Sequence, residues 1–268
     1  MAERTDSTAA PSAQAGPSLS SASSLCIDRR RDALLVIDLQ PDFMPGGSLA
    51  VADGDAVVAP IAALVLGRGF DTIVATQDWH PSGHISFASR HGLPPFSTLR
   101  LHRQIGGQAA GQVGGHPGVD QTMWPDHCVQ GTPGAALHAG LPRDPLTLIL
   151  RKGTYADADS YSAFRENQGP RGVRRTTGLG ALLRARSIER VFVCGLARDY
   201  CVAWTAIDAM SEGLSAFVMD DLCRAVNPDG AAATDAAFLA AGVRTIQSSQ
   251  LVFPADSPAA VSTASEIA

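Results

Sequence analysis

Lysine is almost missing from this chain. Among 268 residues, with 21 Lys and Arg together, Lys152 is the only lysine. The basic residues therefore do not outnumber the 26 Asp and Glu, and the net charge is −5. A chain without a basic excess lacks the electrostatic footprint of nucleic-acid binding, so no nucleic-acid partner is expected. No apolar run approaches the roughly 20 residues needed to span a bilayer, so no membrane partner is expected either. There is no CxxC pair, and the five cysteines (Cys26, Cys128, Cys194, Cys201 and Cys223) are odd in number and widely spaced. That pattern argues against a disulfide framework and for a reducing, cytoplasmic setting. Residues 1–28 are rich in Ser, Ala and Pro and contain no apolar segment of the secretory type, so they read as a disordered tail.

What is present has ordinary globular composition, 45% hydrophobic and 18% charged. That is enough for one domain, expected over residues 29–254, with a C-terminal tail over 255–268. Short apolar runs alternate with helical periodicity. Strands are predicted at 33–37, 72–76, 147–150, 191–194, 215–219 and 244–247. Helices are predicted over 53–67, 178–185 and 229–241, and another beginning near Cys201. Residues 86–146 show no clear period, and the stretch near 105–118, rich in Gly, Gln and His, reads as an insertion. Alternation of this kind predicts a doubly wound α/β fold: a mainly parallel six-stranded sheet with helices on both faces.

In such sheets ligands bind outside the carboxyl ends of the strands. Four of the predicted strand ends carry reactive groups: Asp38 after the first, Asp78 and His80 after the second, Lys152 after the third, and Cys201 after the fourth. Separately each has a dull explanation, a turn former, a loop histidine or a small core cysteine. Together they form a set that can attack a carbonyl. Cys201 falls where a helix begins, a position whose free N–H groups stabilise a thiolate, and Lys152 beside it would lower its pKa. Asp38 is suited to take the thiol proton and return it to a leaving amine. Lysine retained in so arginine-rich a chain points to a task that the wide arginine fork cannot perform. The Asp78-x-His80 pair, with His127 or His84 as a third ligand, suits a divalent Zn or Fe ion.

These residues resemble a known family. The run Q-P-D-F-M-P-G-G-S-L-A-V after Asp38 is similar to the opening of the nicotinamidases, in the isochorismatase-like cysteine hydrolase superfamily. The likeness continues in order through D-W-H-P-S-G-H-I-S-F-A, W-P-D-H-C-V-Q-G-T-P-G-A, K-G-T-Y-A-D-A-D-S-Y-S-A-F and G-L-A-R-D-Y-C-V, and spans about residues 30–250. The resemblance implies hydrolysis of nicotinamide through a Cys201 thioester, with Asp38 and Lys152 completing a triad. It assigns the metal to Asp78, His80 and His127, with His84 secondary. It also implies that the metal holds the ring nitrogen and that Phe43, Trp124, Tyr161 and Leu196 bind the ring. The N–H groups of Ala197 and Cys201 would form the oxyanion hole beside a cis peptide at Leu196–Ala197. A homo-oligomer is expected. The neighbouring reading is an amidase acting on other carboxamides or on N-carbamoyl compounds. That branch is not expected to need the metal loops seen here, and the isochorismatase branch lacks the nucleophilic cysteine. From a different class, an inactive metal-binding sensor would not need the triad intact.

Overall fold

The computed structural model describes residues 24–101, 119–167 and 174–254. Six strands form the central sheet: β1 (Asp32–Ile37), β2 (Thr72–Asp78), β3 (Leu148–Lys152), β4 (Arg190–Leu196), β5 (Ser215–Arg224) and β6 (Arg244–Ile246). Their order is β3-β2-β1-β4-β5-β6 and every neighbouring pair is parallel. The predicted class is therefore the observed one. The chain winds outward from β1 to β3, then crosses back to β4 and winds the other way. The crevice above β1 and β4 is the switch point at which such sheets hold ligands.

β1 explains why this sheet is legible as apolar runs. Leu34 and Val36 face one apolar cluster, with Ile61 and Val65 of α1 (Val58–Leu66). Ala33, Leu35 and Ile37 face the other, with Leu179 of α2 (Leu179–Ala185), Ala206 of α3 (Ala203–Ser211) and Phe238 of α4 (Ala231–Ala241). A strand covered on both sides has no polar face, so alternation disappears. Each Leu or Val so buried contributes about 1.5–3 kcal/mol relative to exposure.

Several boundaries differ from the sequence reading. Gly195 does not end the fourth strand, which runs on to Leu196. Its φ is +112°, and a Cβ there would stand 2.1 Å from the carbonyl oxygen of Ile37, so only glycine lets β4 pass this close to β1. The expected tail ends earlier than residue 28, because Leu25–Cys26 pairs in parallel with Leu251–Val252 and Ile27 is buried. The aperiodic stretch contains an antiparallel pair, Thr98–Leu101 with Val119–Thr122, and a single helical turn at Ala88–His91. The expectations for residues 1–23, 105–118 and 255–268 lie outside the described residues. Among the described residues no helix is long and apolar enough to cross a membrane.

Candidate active site

The sheet brings its reactive ends together because parallel strands share one carboxyl edge. Asp38 directly follows β1 and adopts φ +47°, a conformation uncommon outside glycine, which turns its carboxylate over the edge. Thr76 of β2 secures it from the side. The Thr76 hydroxyl donates to Asp38 Oδ1 at 2.6 Å and accepts the Asp38 N–H at 3.1 Å. Gln40 ties the next two loops together. Its amide donates to the Asp78 carbonyl at 2.9 Å and accepts the Asp78 N–H at 2.8 Å.

Lys152 is the hub, and it is completely buried. Its Nζ lies 2.5 Å from Asp78 Oδ1, 2.9 Å from Asp38 Oδ2, 3.0 Å from the Ser160 carbonyl and 3.4 Å from Cys201 Sγ. Burial alone would drive off its proton, but Asp38 and Asp78 outweigh that and hold the ammonium well above the ordinary lysine value. For Asp38 the balance reverses: burial raises its pKa, helped by Asp78 and only partly countered by Lys152. Burial likewise tends to raise Asp78, yet Lys152 and His80 pull it well below the usual carboxylate range. Asp38 Oδ2 is ion-paired with Lys152 and, among the described residues, makes no other hydrogen bond.

Cys201 departs from the expectation made for it. It is not the first residue of an α-helix. It sits in a wider turn, Arg198–Val202, that precedes α3. Lys152 does pull its thiol pKa down, as expected, but is outweighed. Burial pushes it well above the ordinary cysteine value, and Asp38 and Asp78 reinforce burial against the single ammonium. The peptide bond Leu196–Ala197 is cis.

The three metal candidates converge next to this hub. Asp78 Oδ2 stands 3.5 Å from His80 Nε2 and 3.8 Å from His127 Nε2, and all three side chains are buried. The Nδ1 atoms are already engaged: His80 Nδ1 donates to the Gly153 carbonyl at 3.0 Å and His127 Nδ1 to the Pro125 carbonyl at 2.8 Å. That fixes the tautomer and aims both Nε2 lone pairs at the same point, the arrangement in which a backbone carbonyl orients a histidine ligand. His80 Nε2 is buried with no hydrogen-bond partner among the described residues. These groups fit a divalent cation. Gly153 permits the geometry, since at φ +66° its missing Cβ would fall 2.4 Å from the His80 ring. His84 lies outside this trio but forms a second buried group of potential ligand atoms with His80 and Asp159. Its ring stacks on His80 with centroids 4.2 Å apart, Nδ1 accepts from the Ser86 hydroxyl at 2.8 Å, and Nε2 donates to the Ala158 carbonyl at 3.0 Å. Burial chiefly lowers its pKa to about 4, so it is neutral.

Over both groups opens a narrow pocket lined largely by aromatic and apolar side chains. Phe43, Trp124 and Tyr161 line it as expected, with Asp78, His127, Ala197 and Cys201 at its floor. The Trp124 indole N–H donates to the Tyr161 hydroxyl at 3.1 Å. Leu196 is not among the lining residues. Its side chain packs in the first apolar cluster, 3.4 Å from where a Gly54 Cβ would be, and Ala197 takes the lining position. The sequence reading missed Leu49, Asp159, Tyr200 and Val226 in the lining, and Thr76, Gln40 and Gly153 behind it. Asp159 and Tyr200 lie within the quoted motifs. Val226 has no local signal at all.

The chain belongs to the isochorismatase family: the model for the isochorismatase domain matches residues 32–250. Within that family it is 44% identical over 222 residues to the nicotinamidase of Acinetobacter baylyi, covering 82% of this chain and 94% of that protein. The crystal structure of PnC1 from L. infantum in complex with nicotinate superposes with a TM-score of 0.70 at 40% identity, over 85% of this chain and 98% of that one. The pyrazinamidase of Pyrococcus horikoshii in complex with zinc gives a TM-score of 0.60 at 32% identity, over 81% and 99%.

Proposed function

We propose that this chain is an amidohydrolase that converts nicotinamide to nicotinate and ammonia, with Cys201 as nucleophile. The observation that carries the reading is the buried contact of Lys152 with Asp38, Asp78 and Cys201, the last two of which line an aromatic pocket. A buried ammonium between two carboxylates is costly to assemble and has no packing purpose that a leucine would not serve better.

The residues divide the work as follows. Asp38, made more basic by burial, takes the Cys201 thiol proton as sulfur bonds to the carboxamide carbon. The N–H groups of Ala197 and Cys201 receive the negative charge that gathers on the carbonyl oxygen. Asp38 then passes its proton to the amide nitrogen, the C–N bond breaks, and ammonia leaves a thioester behind. Water gives one proton to Asp38 as its oxygen bonds to the thioester carbon; the C–S bond then breaks, Asp38 returns that proton to the sulfur, and the released acid gives its remaining proton to the ammonia already formed, leaving nicotinate. Lys152 keeps its proton throughout and holds the two carboxylates at fixed positions. Asp78, His80 and His127 would hold a divalent metal, Zn or Fe, which when bound supplies a Lewis-acid contact for the ring nitrogen and so orients the ring. Phe43, Trp124 and Tyr161 pack on the ring faces. The same reading includes a single hydrolase domain that starts at the Leu25–Cys26 strand and runs to residue 254, a cytoplasmic location supported by five free cysteines, and assembly as a homo-oligomer.

The test is ammonia release from purified protein given nicotinamide, with Cys201→Ala alongside. Release that disappears in the variant supports both the reaction and the nucleophile. A folded, metal-loaded wild type that releases none transfers the reading to another carboxamide or an N-carbamoyl substrate.

A further inference from the structure

Two residues before Cys201, Asp199 turns away from the cavity and grips a different segment. Its Oδ1 accepts the backbone N–H of Val226 at 2.9 Å and its Oδ2 that of Asn227 at 2.8 Å. These residues lie between the end of β5 and the turn Pro228–Gly230. Val226 lines the cavity together with Ala197, Tyr200 and Cys201. One carboxylate therefore ties the loop after β5 to the nucleophile's turn and sets how far the Val226 side chain stands from the thiol.

The turn itself does not depend on this grip. Tyr200 and Val202 both donate N–H to the Ala197 carbonyl, at 3.1 and 3.0 Å. Arg198, next to Asp199, reaches the opposite way to Asp220 and Asp235, each at 2.6 Å. The guanidinium also lies 5.3 Å over the Phe238 ring. Arg198 thus fastens the turn to β5 and α4, whereas Asp199 fastens the loop to the turn. Cutting the first would disturb the nucleophile. Cutting the second releases the cavity wall and leaves the nucleophile held.

We propose that Asp199 is a positioning residue that fixes Val226 as the size-limiting wall of the cavity, and so restricts the enzyme to unsubstituted ring carboxamides. This rests on the nicotinamide-hydrolase reading. Hydrogen bonds to a charged acceptor are the stronger kind, and losing a pair of them lets a short loop move outward. A wall that moves outward weakens ring binding and admits rings with an added methyl group. It does not slow the chemical steps, which involve none of the loop's atoms.

The experiment is a double-mutant cycle on Asp199→Ala and Val226→Ala, with kcat and KM measured for nicotinamide and for its ring-methylated derivatives. Wild-type ammonia release is measured in parallel, so that failure of the overall reading is seen separately. Asp199→Ala is expected to raise KM for nicotinamide about tenfold while kcat stays within about threefold. It is also expected to raise kcat/KM for at least one methylated ring relative to nicotinamide. Val226→Ala is expected to widen selectivity in the same direction. The double variant is expected to lose no more than Asp199→Ala alone, because both act through one side chain. A fall in kcat at constant KM, unchanged selectivity, or fully additive penalties would each overturn the proposal. Should Asp199→Ala fail to fold, Asp199→Asn completes the cycle. It keeps one acceptor oxygen, so it is expected to give an intermediate KM, and a wild-type KM and selectivity there would count against the proposal.

Discussion

Lys152 Nζ lies 2.5 Å from Asp78 Oδ1, while the other oxygen of the same carboxylate faces the Nε2 atoms of His80 and His127. One carboxylate therefore belongs to two sites. It balances the ammonium that holds Asp38, and it offers its free oxygen to the metal. A single side chain thereby joins the Cys201 cluster to the candidate metal ligands.

Replacing Lys152 by arginine should be nearly as damaging as removing it. The ammonium fills a completely buried space with four neighbours within 3.4 Å. The guanidinium keeps the charge but is wider and planar, and overpacking a buried site displaces its neighbours. A loss in kcat of about 100-fold or more is expected, in the range of a displaced acid–base group. A Lys152→Arg protein with near-wild-type kcat would show that the charge alone matters.

Asp38→Asn should be inactive and yet more stable than the wild type at neutral pH. The folded pKa of Asp38 is raised by burial, so the fold prefers its protonated form. Ionised Asp38 therefore subtracts stability above that pKa, and the penalty fades as the pH falls through it. Thermal melts of the two proteins across pH check the sign. The melting temperatures should differ most near neutrality and converge in acid.

The same shift governs the acid limb of activity. A base must be deprotonated to act, and Asp38 titrates above its ordinary value of 3.8. The decline of kcat/KM toward low pH should therefore fall above the range of an exposed aspartate. A profile flat down to pH 4 would remove Asp38 as the base.

Metal content should separate His127 from His84. His127→Ala removes a ring whose Nε2 is aimed at Asp78 Oδ2, and the purified variant should lose most of its metal. His84→Ala removes a neutral ring with both nitrogens already bonded, so it should lower the melting temperature but leave the metal-to-protein ratio unchanged. Elemental analysis distinguishes the two outcomes. Chelation of the wild type should act mainly through KM, as expected if the metal orients the ring.

Much of this molecule was settled locally, along the chain. A strand covered on both faces must be apolar throughout, so Ala33–Ile37 and Val191–Cys194 could be read directly, and strands of one parallel sheet end on one edge. That is enough to gather Asp38, Asp78, His80, Lys152 and Cys201 before any coordinate is known. Three things needed the tertiary structure. The raised pKa of the Cys201 thiol depends first on its burial, and then on the balance of Lys152 against Asp38 and Asp78. The assignment of His84 depends on Ser86 and Ala158 occupying both of its nitrogens. The place of Val226 on the cavity wall depends on Asp199, 27 residues earlier, accepting its N–H. Sequence pattern reports which residues must be buried and where strands end. Charge balance and the closing of a loop by a distant carboxylate arise from neighbours in space, and only the folded chain brings those neighbours together.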